Sequence, residues 1–248
     1  MGVIRIVRGE KDANSFFVAS NFGLLLFDTG AATSQLQISE LTKDLPRLPS
    51  AEARGALGSK KVDLALVKEL RAGEITAKDL KVTLDDSVGI LGSDVLRHYA
   101  YALDTQRDEI AIIPPFSGAI PCRVGQRGHL YVDIEIGGTA CTALIDTGAS
   151  CSILDEAFRR EVFGNQAVGR TETGEDWTGA AFETPVLGVD SLSIGGVPFP
   201  EHEFAVLDFR RLFPFMEYPI AAIIGASTLC CKRFSINHVD GWLKLEDG

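Results

Sequence analysis

The chain has 248 residues, 46% of them hydrophobic and 23% charged, close to ordinary globular domains and unlike disordered or fibrous chains. Its formal net charge of −10, with no basic run, argues against nucleic acid or an anionic membrane as partner. Apolar runs such as residues 220–224 are too short to span a bilayer, and the first residues show no signal-like apolar core. The expectation is therefore a cytoplasmic chain without membrane insertion. A periplasmic or secreted protein stripped of its signal would read the same.

In the first half, alternating or continuous apolar runs predict strands over 3–7, 16–20, 24–27, 61–67 and 80–84. The run 24–27 leads straight into Asp28, followed by Thr29, Gly30 and Ala31. A carboxylate at the end of a buried strand is costly unless it is paired or hydrogen-bonded. Residues 114–128 are rich in Pro and Gly and read as the connection between an N-terminal unit, 1–117, and a C-terminal unit, 118–248. Next comes a hairpin over 131–145 with Gly137 and Gly138 as its turn, running into Asp146, Thr147, Gly148 and Ala149. Residues 155–164 carry an acidic first turn and a terminal glycine, which predict a helix whose Arg159–Arg160 face is solvated. Strands follow over 203–208, 233–236 and 242–246.

The acidic motif thus occurs twice, 118 residues apart, each time at the end of an apolar strand. A second pair of segments begins at Ile90 and Ile223. At a constant offset of 133, Gly92 matches Gly225, Leu96 matches Leu229, Leu103 matches Ile236 and Ile110 matches Leu243. Each half therefore reads as the same unit, mainly β, with one or two helical turns after Gly92 and Gly225. Two such units commonly pack about an approximate twofold axis. Acids near that axis would face each other, share one proton and hold a water. The ionised member would take the water's proton during attack on a carbonyl, and the protonated member would donate to the carbonyl oxygen.

Apolar-Asp-Thr-Gly-Ala twice, each followed by apolar-apolar-Gly (Ile90-Leu91-Gly92 and Ile223-Ile224-Gly225), resembles the retropepsin/pepsin superfamily of aspartic proteases, and most closely its tandem, single-chain retropepsin-like members. The resemblance implies an acid-protease fold, with two pseudo-twofold related β-barrel-like lobes and a cleft between them. It implies an endopeptidase with Asp28 and Asp146 as catalytic pair, working without cofactor or metal. Thr29 and Thr147 would interlock below the pair, Gly30 and Gly148 would let backbone amides reach the carboxylates, and the loops at Gly92 and Gly225 would cross behind the strands. Ala31 and Ala149 match the retropepsin-like branch. Hairpins over 52–61 and 172–182 are candidate flaps, with Gly55, Gly58 and Trp177 as candidate substrate contacts. A monomer acting on peptides or proteins is expected. A peptide-binding scaffold without turnover, and a dimer of two-lobed chains, remain as alternatives.

Four histidines (His98, His129, His202, His238) show no zinc or catalytic spacing, so packing or surface roles are expected. Five cysteines lack any CxxC pair, which suggests free, buried thiols and a reducing compartment.

Overall fold

The computed structural model describes residues 2–9, 14–54, 58–164, 169–175, 178–211 and 216–246. The fold is mainly β, and its α-helices among these residues are short: α1 (Ser93–Leu96), α2 (Glu156–Phe163) and α3 (Ala226–Leu229). None is long and apolar enough to cross a membrane.

Period-two patterning sets the faces of the first strands. Val3–Val7 turns Ile4 and Ile6 inward and lies between Glu109–Ile113 and Phe17–Ser20. Gly23–Phe27 pairs antiparallel with Phe17–Ser20 and parallel with Gly89–Leu91, with Phe27 opposite Leu91. Partners on both edges leave Leu25 and Phe27 with no exposed surface, so the next residue, Asp28, starts from the core.

In the second half, Leu130–Ile136 and Thr139–Ile145 form the expected hairpin. Its turn places Gly137 at φ 59° and Gly138 at φ 75°, a left-handed pair that few other residues tolerate. Thr139–Ile145 lies parallel to Ala222–Ile224, with Ile145 opposite Ile224, as Phe27 lies opposite Leu91. Four successive elements, Gly89–Leu91, α1, Ala100–Asp104 and Glu109–Ile113, correspond at an offset of 133 residues to Ala222–Ile224, α3, Arg233–Asn237 and Trp242–Glu246.

These two sets meet in one sheet. Ala100–Asp104 and Arg233–Asn237 are antiparallel neighbours, with Tyr101 opposite Ile236. Outside them lie Glu109–Ile113 and Val3–Val7 on one side, Trp242–Glu246 and Ile120–Val124 on the other. The main apolar core runs through both halves, and in it the Phe27 ring meets Tyr101 edge-on at 5.0 Å between centroids. Burying such a ring contributes about 2 kcal/mol.

Several expectations need adjustment. The Pro/Gly-rich connection contains the strand Ile120–Val124, which pairs with Leu130–Ile136 and with Trp242–Glu246. The runs 61–67 and 80–84 are parts of longer strands, Ser59–Ala72 and Ile75–Asp85, joined through Gly73 and Glu74. Helix α2 forms where expected, capped by Asp155, but only Arg160 on its basic face is solvated. Arg159, 13% exposed, is drawn in by Glu156 at 2.8 Å. The cysteines are free thiols, but none is fully buried, and Cys231 is exposed.

His98 is exposed and His202 half-buried, while His129 and His238 are buried. His238 packs behind the central sheet, its Nδ1 3.1 Å from the Tyr101 hydroxyl and its Nε2 2.5 Å from the Gly128 carbonyl oxygen. A neutral ring fits both contacts, donating from Nε2 and accepting at Nδ1. Burial lowers its pKa from 6.5 to about 4. Between those values the unfolded chain binds a proton that the folded chain does not, so stability falls as pH drops through that window. The expected loss is on the order of 3 kcal/mol. Urea titrations at a series of pH values measure it, and His238→Gln should flatten the slope while lowering stability at neutral pH.

Candidate active site

Each candidate acid sits where a buried strand ends, and its backbone is fixed there. The Asp28 amide donates to the Leu91 carbonyl at 3.0 Å, and the Asp146 amide donates to the Ile224 carbonyl at 3.0 Å. Asp28 Oδ1 accepts from the amides of Gly30 (2.8 Å) and Ala31 (2.9 Å). Asp146 Oδ1 accepts from Gly148 (2.9 Å) and Ala149 (3.1 Å). One oxygen of each carboxyl is thus held by backbone, and the two side chains lie within hydrogen-bonding reach of each other.

Glycine makes that approach possible. A Cβ on Gly30 would fall 2.3 Å from Asp146 Cγ, and one on Gly148 would fall 2.2 Å from Asp28 Cγ. Neither glycine has a positive φ, so the requirement is space and not backbone conformation.

Below the acids, the Thr29 amide donates to Thr147 Oγ1 at 3.1 Å and the Thr147 amide donates to Thr29 Oγ1 at 3.1 Å. The Thr29 hydroxyl donates to the Ile145 carbonyl (2.8 Å), and the Thr147 hydroxyl to the Phe27 carbonyl (2.6 Å). Both threonines are fully buried. The amide and hydroxyl of each threonine find their partners across the sequence halves.

The loops at Gly92 and Gly225 brace the acid-bearing turns. Ser93 donates its amide to the Ala31 carbonyl (2.7 Å) and its hydroxyl to the Thr29 carbonyl (2.8 Å). The Ala226 amide donates to the Ala149 carbonyl at 2.8 Å. A Cβ on Gly92 would lie 2.9 Å from the Ala31 carbonyl oxygen, and one on Gly225 would lie 2.2 Å from that of Cys151. The Gly92 and Gly225 amides donate at 3.0 Å to the hydroxyls of Ser34 and Ser152.

Burial raises the pKa of both carboxyls, and the charge of Asp146 pushes Asp28 well above the ordinary carboxylate range. Backbone amides oppose the rise without cancelling it. Each side chain nevertheless keeps a partly exposed edge, so solvent reaches the pair.

The spacing of the histidines gave no hint that one of them borders this pair. His129 is 4% exposed, and burial lowers its pKa while the Asp146 charge and the Gly30 backbone act against that; its Nδ1 has no hydrogen-bond partner among the described residues. Only the folded path of the chain, which starts the hairpin strand at Leu130, brings it there.

Both expected hairpins exist, Arg47–Arg54 with Ser59–Ala72 and Thr171–Glu175 with Ala181–Val189. Their ends approach each other: a Cβ on Gly58 would lie 2.5 Å from Thr178 Oγ1 and 3.5 Å from the Ala180 methyl. Gly55 and Trp177 lie outside the described residues.

The family model described as aspartyl protease matches residues 132–228. That stretch carries Asp146, Thr147, Gly148 and Gly225; Asp28 lies outside it. No curated protein matches the chain.

Gly148→Ala and Thr147→Val test the packing of this centre, with Gly169→Ala as the control. Gly148→Ala should lower the unfolding free energy by about 3 kcal/mol. Gly169→Ala should change it by less than about 1 kcal/mol, because its methyl would find its nearest neighbour, the Val186 carbonyl oxygen, at 3.7 Å. Thr147→Val keeps the shape but leaves the Thr29 amide unpaired, with an expected cost of about 2 to 4 kcal/mol in chemical denaturation.

Proposed function

We propose that the chain is an aspartic endopeptidase whose catalytic pair is Asp28 and Asp146. The observation that carries this reading is the matched cradle: two acids, each held through one oxygen by two amides and each packed against the glycine of the other's motif. The match of residues 132–228 to the aspartyl protease family supports it.

In the proposed reaction a water lies between the carboxyls. Burial and mutual repulsion make the pair share one proton; we assign it to Asp28, which leaves Asp146 ionised. The water oxygen attacks the peptide carbonyl carbon, giving its proton to Asp146 while Asp28 protonates the carbonyl oxygen. The resulting diol returns a proton to Asp28 as the C–N bond breaks, and Asp146 passes its proton to the leaving nitrogen. Both acids finish in their starting states.

The proposed architecture is two lobes, 1–117 and 118–248, related by an approximate twofold axis. The common offset of four successive elements and the matching hydrogen bonds around both acids support it. One chain then supplies both carboxyls and acts as a monomer. The two hairpins serve as flaps, and an extended peptide segment would lie beneath them, bound partly through its backbone. Gly58 lies at one flap end, beside Thr178 of the other.

Asp28→Asn and Asp146→Asn should each reduce cleavage of a mixed peptide library by about a thousandfold or more. A carboxyl with a raised folded pKa favours folding at low pH and disfavours it once ionised. Asp28→Asn should therefore melt about 2–5 °C higher than wild type at pH 7. Unchanged cleavage in both variants would remove the pair from the mechanism, and no cleavage by wild type at any pH would favour a binding module.

The proposed working range is milder than that of a gastric enzyme. Ala31 and Ala149 place no hydroxyl on the carboxyls to favour ionisation. The pH–rate maximum should lie above about pH 4; a maximum near about pH 2 would contradict this.

A further inference from the structure

A cavity of about 400 Å³ opens beside the acid-bearing turn of the first half, lined by Ala32, Thr33, Asp94, Arg97 and Arg127. Ala32 and Thr33 continue directly from the turn that cradles Asp28. Arg97 follows α1, the helix whose Ser93 is bonded to the Thr29 and Ala31 carbonyls. Arg127 lies two residues before His129, which borders Asp146. The cavity is thus built from the same loops as the acid pair.

Its charges are unevenly committed. Asp94 spends both oxygens on Ser34, accepting from the hydroxyl at 2.6 Å and the amide at 2.9 Å. Arg97 gives one N–H to the Gln126 carbonyl at 2.9 Å. Neither Arg97 nor Arg127 has an ion pair with a described acid. Glu217, whose carboxylate is favoured in part by the Arg127 charge, accepts from the amides of Gln126 (2.7 Å) and Arg127 (3.0 Å). A guanidinium offers five donors, and Arg97 and Arg127 are both exposed where they line the cavity, so most of their donors have no partner among the described residues.

The loop carrying Arg127 is held rigidly. Besides Glu217 and Arg97, it is fixed by the Gly128 amide to the Gly125 carbonyl (2.9 Å), the Gly125 amide to the His129 carbonyl (2.8 Å), and His238 against the Gly128 carbonyl. Two guanidinium groups lining one cavity are a local exception on a chain of net charge −10.

We infer that this cavity is a substrate subsite for a carboxylate, filled by an acidic side chain about two to four residues from the cleaved bond. Extended peptide advances about 3.3 Å per residue, which suits a pocket bordering the catalytic turn without containing it. Guanidinium–carboxylate recognition supplies directed, charge-assisted hydrogen bonds. The inference rests on the peptidase reading, and its test separates the two. A C-terminal carboxylate would offer the same chemistry, so both sources enter the test.

Peptides differing only by Glu or Gln at those positions, each with a free or amidated C terminus, are compared by kcat/KM. Wild type should favour Glu by about tenfold or more, and the Arg97→Gln/Arg127→Gln double variant should bring the Glu:Gln ratio near one. Arg127→Glu should reverse the preference toward Lys. A preference carried by the free C terminus instead would retain the carboxylate subsite and assign it to chain ends. Equal cleavage of all four peptides by wild type, or a Glu preference that survives in the double variant, overturns the inference alone. If no peptide is cleaved, the peptidase reading fails. The subsite is then decided by fluorescence anisotropy of the same labelled peptides on the wild-type chain, where equal affinities overturn it and a Glu or free-carboxylate preference lost in the double variant supports it.

Discussion

Two carboxyl groups brought into contact, with limited access to water, oppose folding through both desolvation and mutual repulsion. The surroundings of Asp28 and Asp146 offset this with means that are almost wholly backbone. Four amides bind one oxygen of each acid, and two missing methyl groups create the space. No cation of the protein forms an ion pair with either acid among the described residues. An arginine there would hold both acids permanently ionised and abolish proton sharing. Amides stabilise charge without imposing it, which leaves the proton free to move.

The threonine lock explains why the approach is reproducible. Each hydroxyl accepts from an amide of the opposite half and donates to a carbonyl there, so shifting one strand end against the other breaks several buried bonds at once. The turns above it inherit that precision, and the braces from Ser93 and Ala226 extend it to α1 and α3. His129 and the cavity beside Asp94 adjoin a centre that is already fixed.

Most of this was legible because the decisive features are short in sequence. The strands at 3–7, 24–27 and 242–246 alternate or run apolar, and the glycine pair at 137–138 announces its turn. The offset of 133, read from apolar matches, reappears in element boundaries. Ser59–Ala72 and Ile75–Asp85 were read too short because Lys68, Glu69, Arg71 and Lys78 separate the buried Leu70, Ala72 and Ile75, which leaves no continuous apolar run at their ends. Proline and glycine hid Ile120–Val124, an edge that pairs only partly on each side. His129, Arg97 and Arg127 carry no spacing signal, since their meeting depends on how distant loops stack.

The shared central sheet bears on what half of this chain would be. Ala100–Asp104 takes one of its two neighbours from residues beyond position 230, across the register Leu103 to Phe234. Severed between 114 and 128, the first segment would present a bare strand edge and a threonine hydroxyl lacking its complement. Open edges of that kind recruit whatever strand can satisfy them. An isolated fragment would regain closure by finding a second molecule of itself, so covalent continuity here replaces what would otherwise be a concentration-dependent encounter.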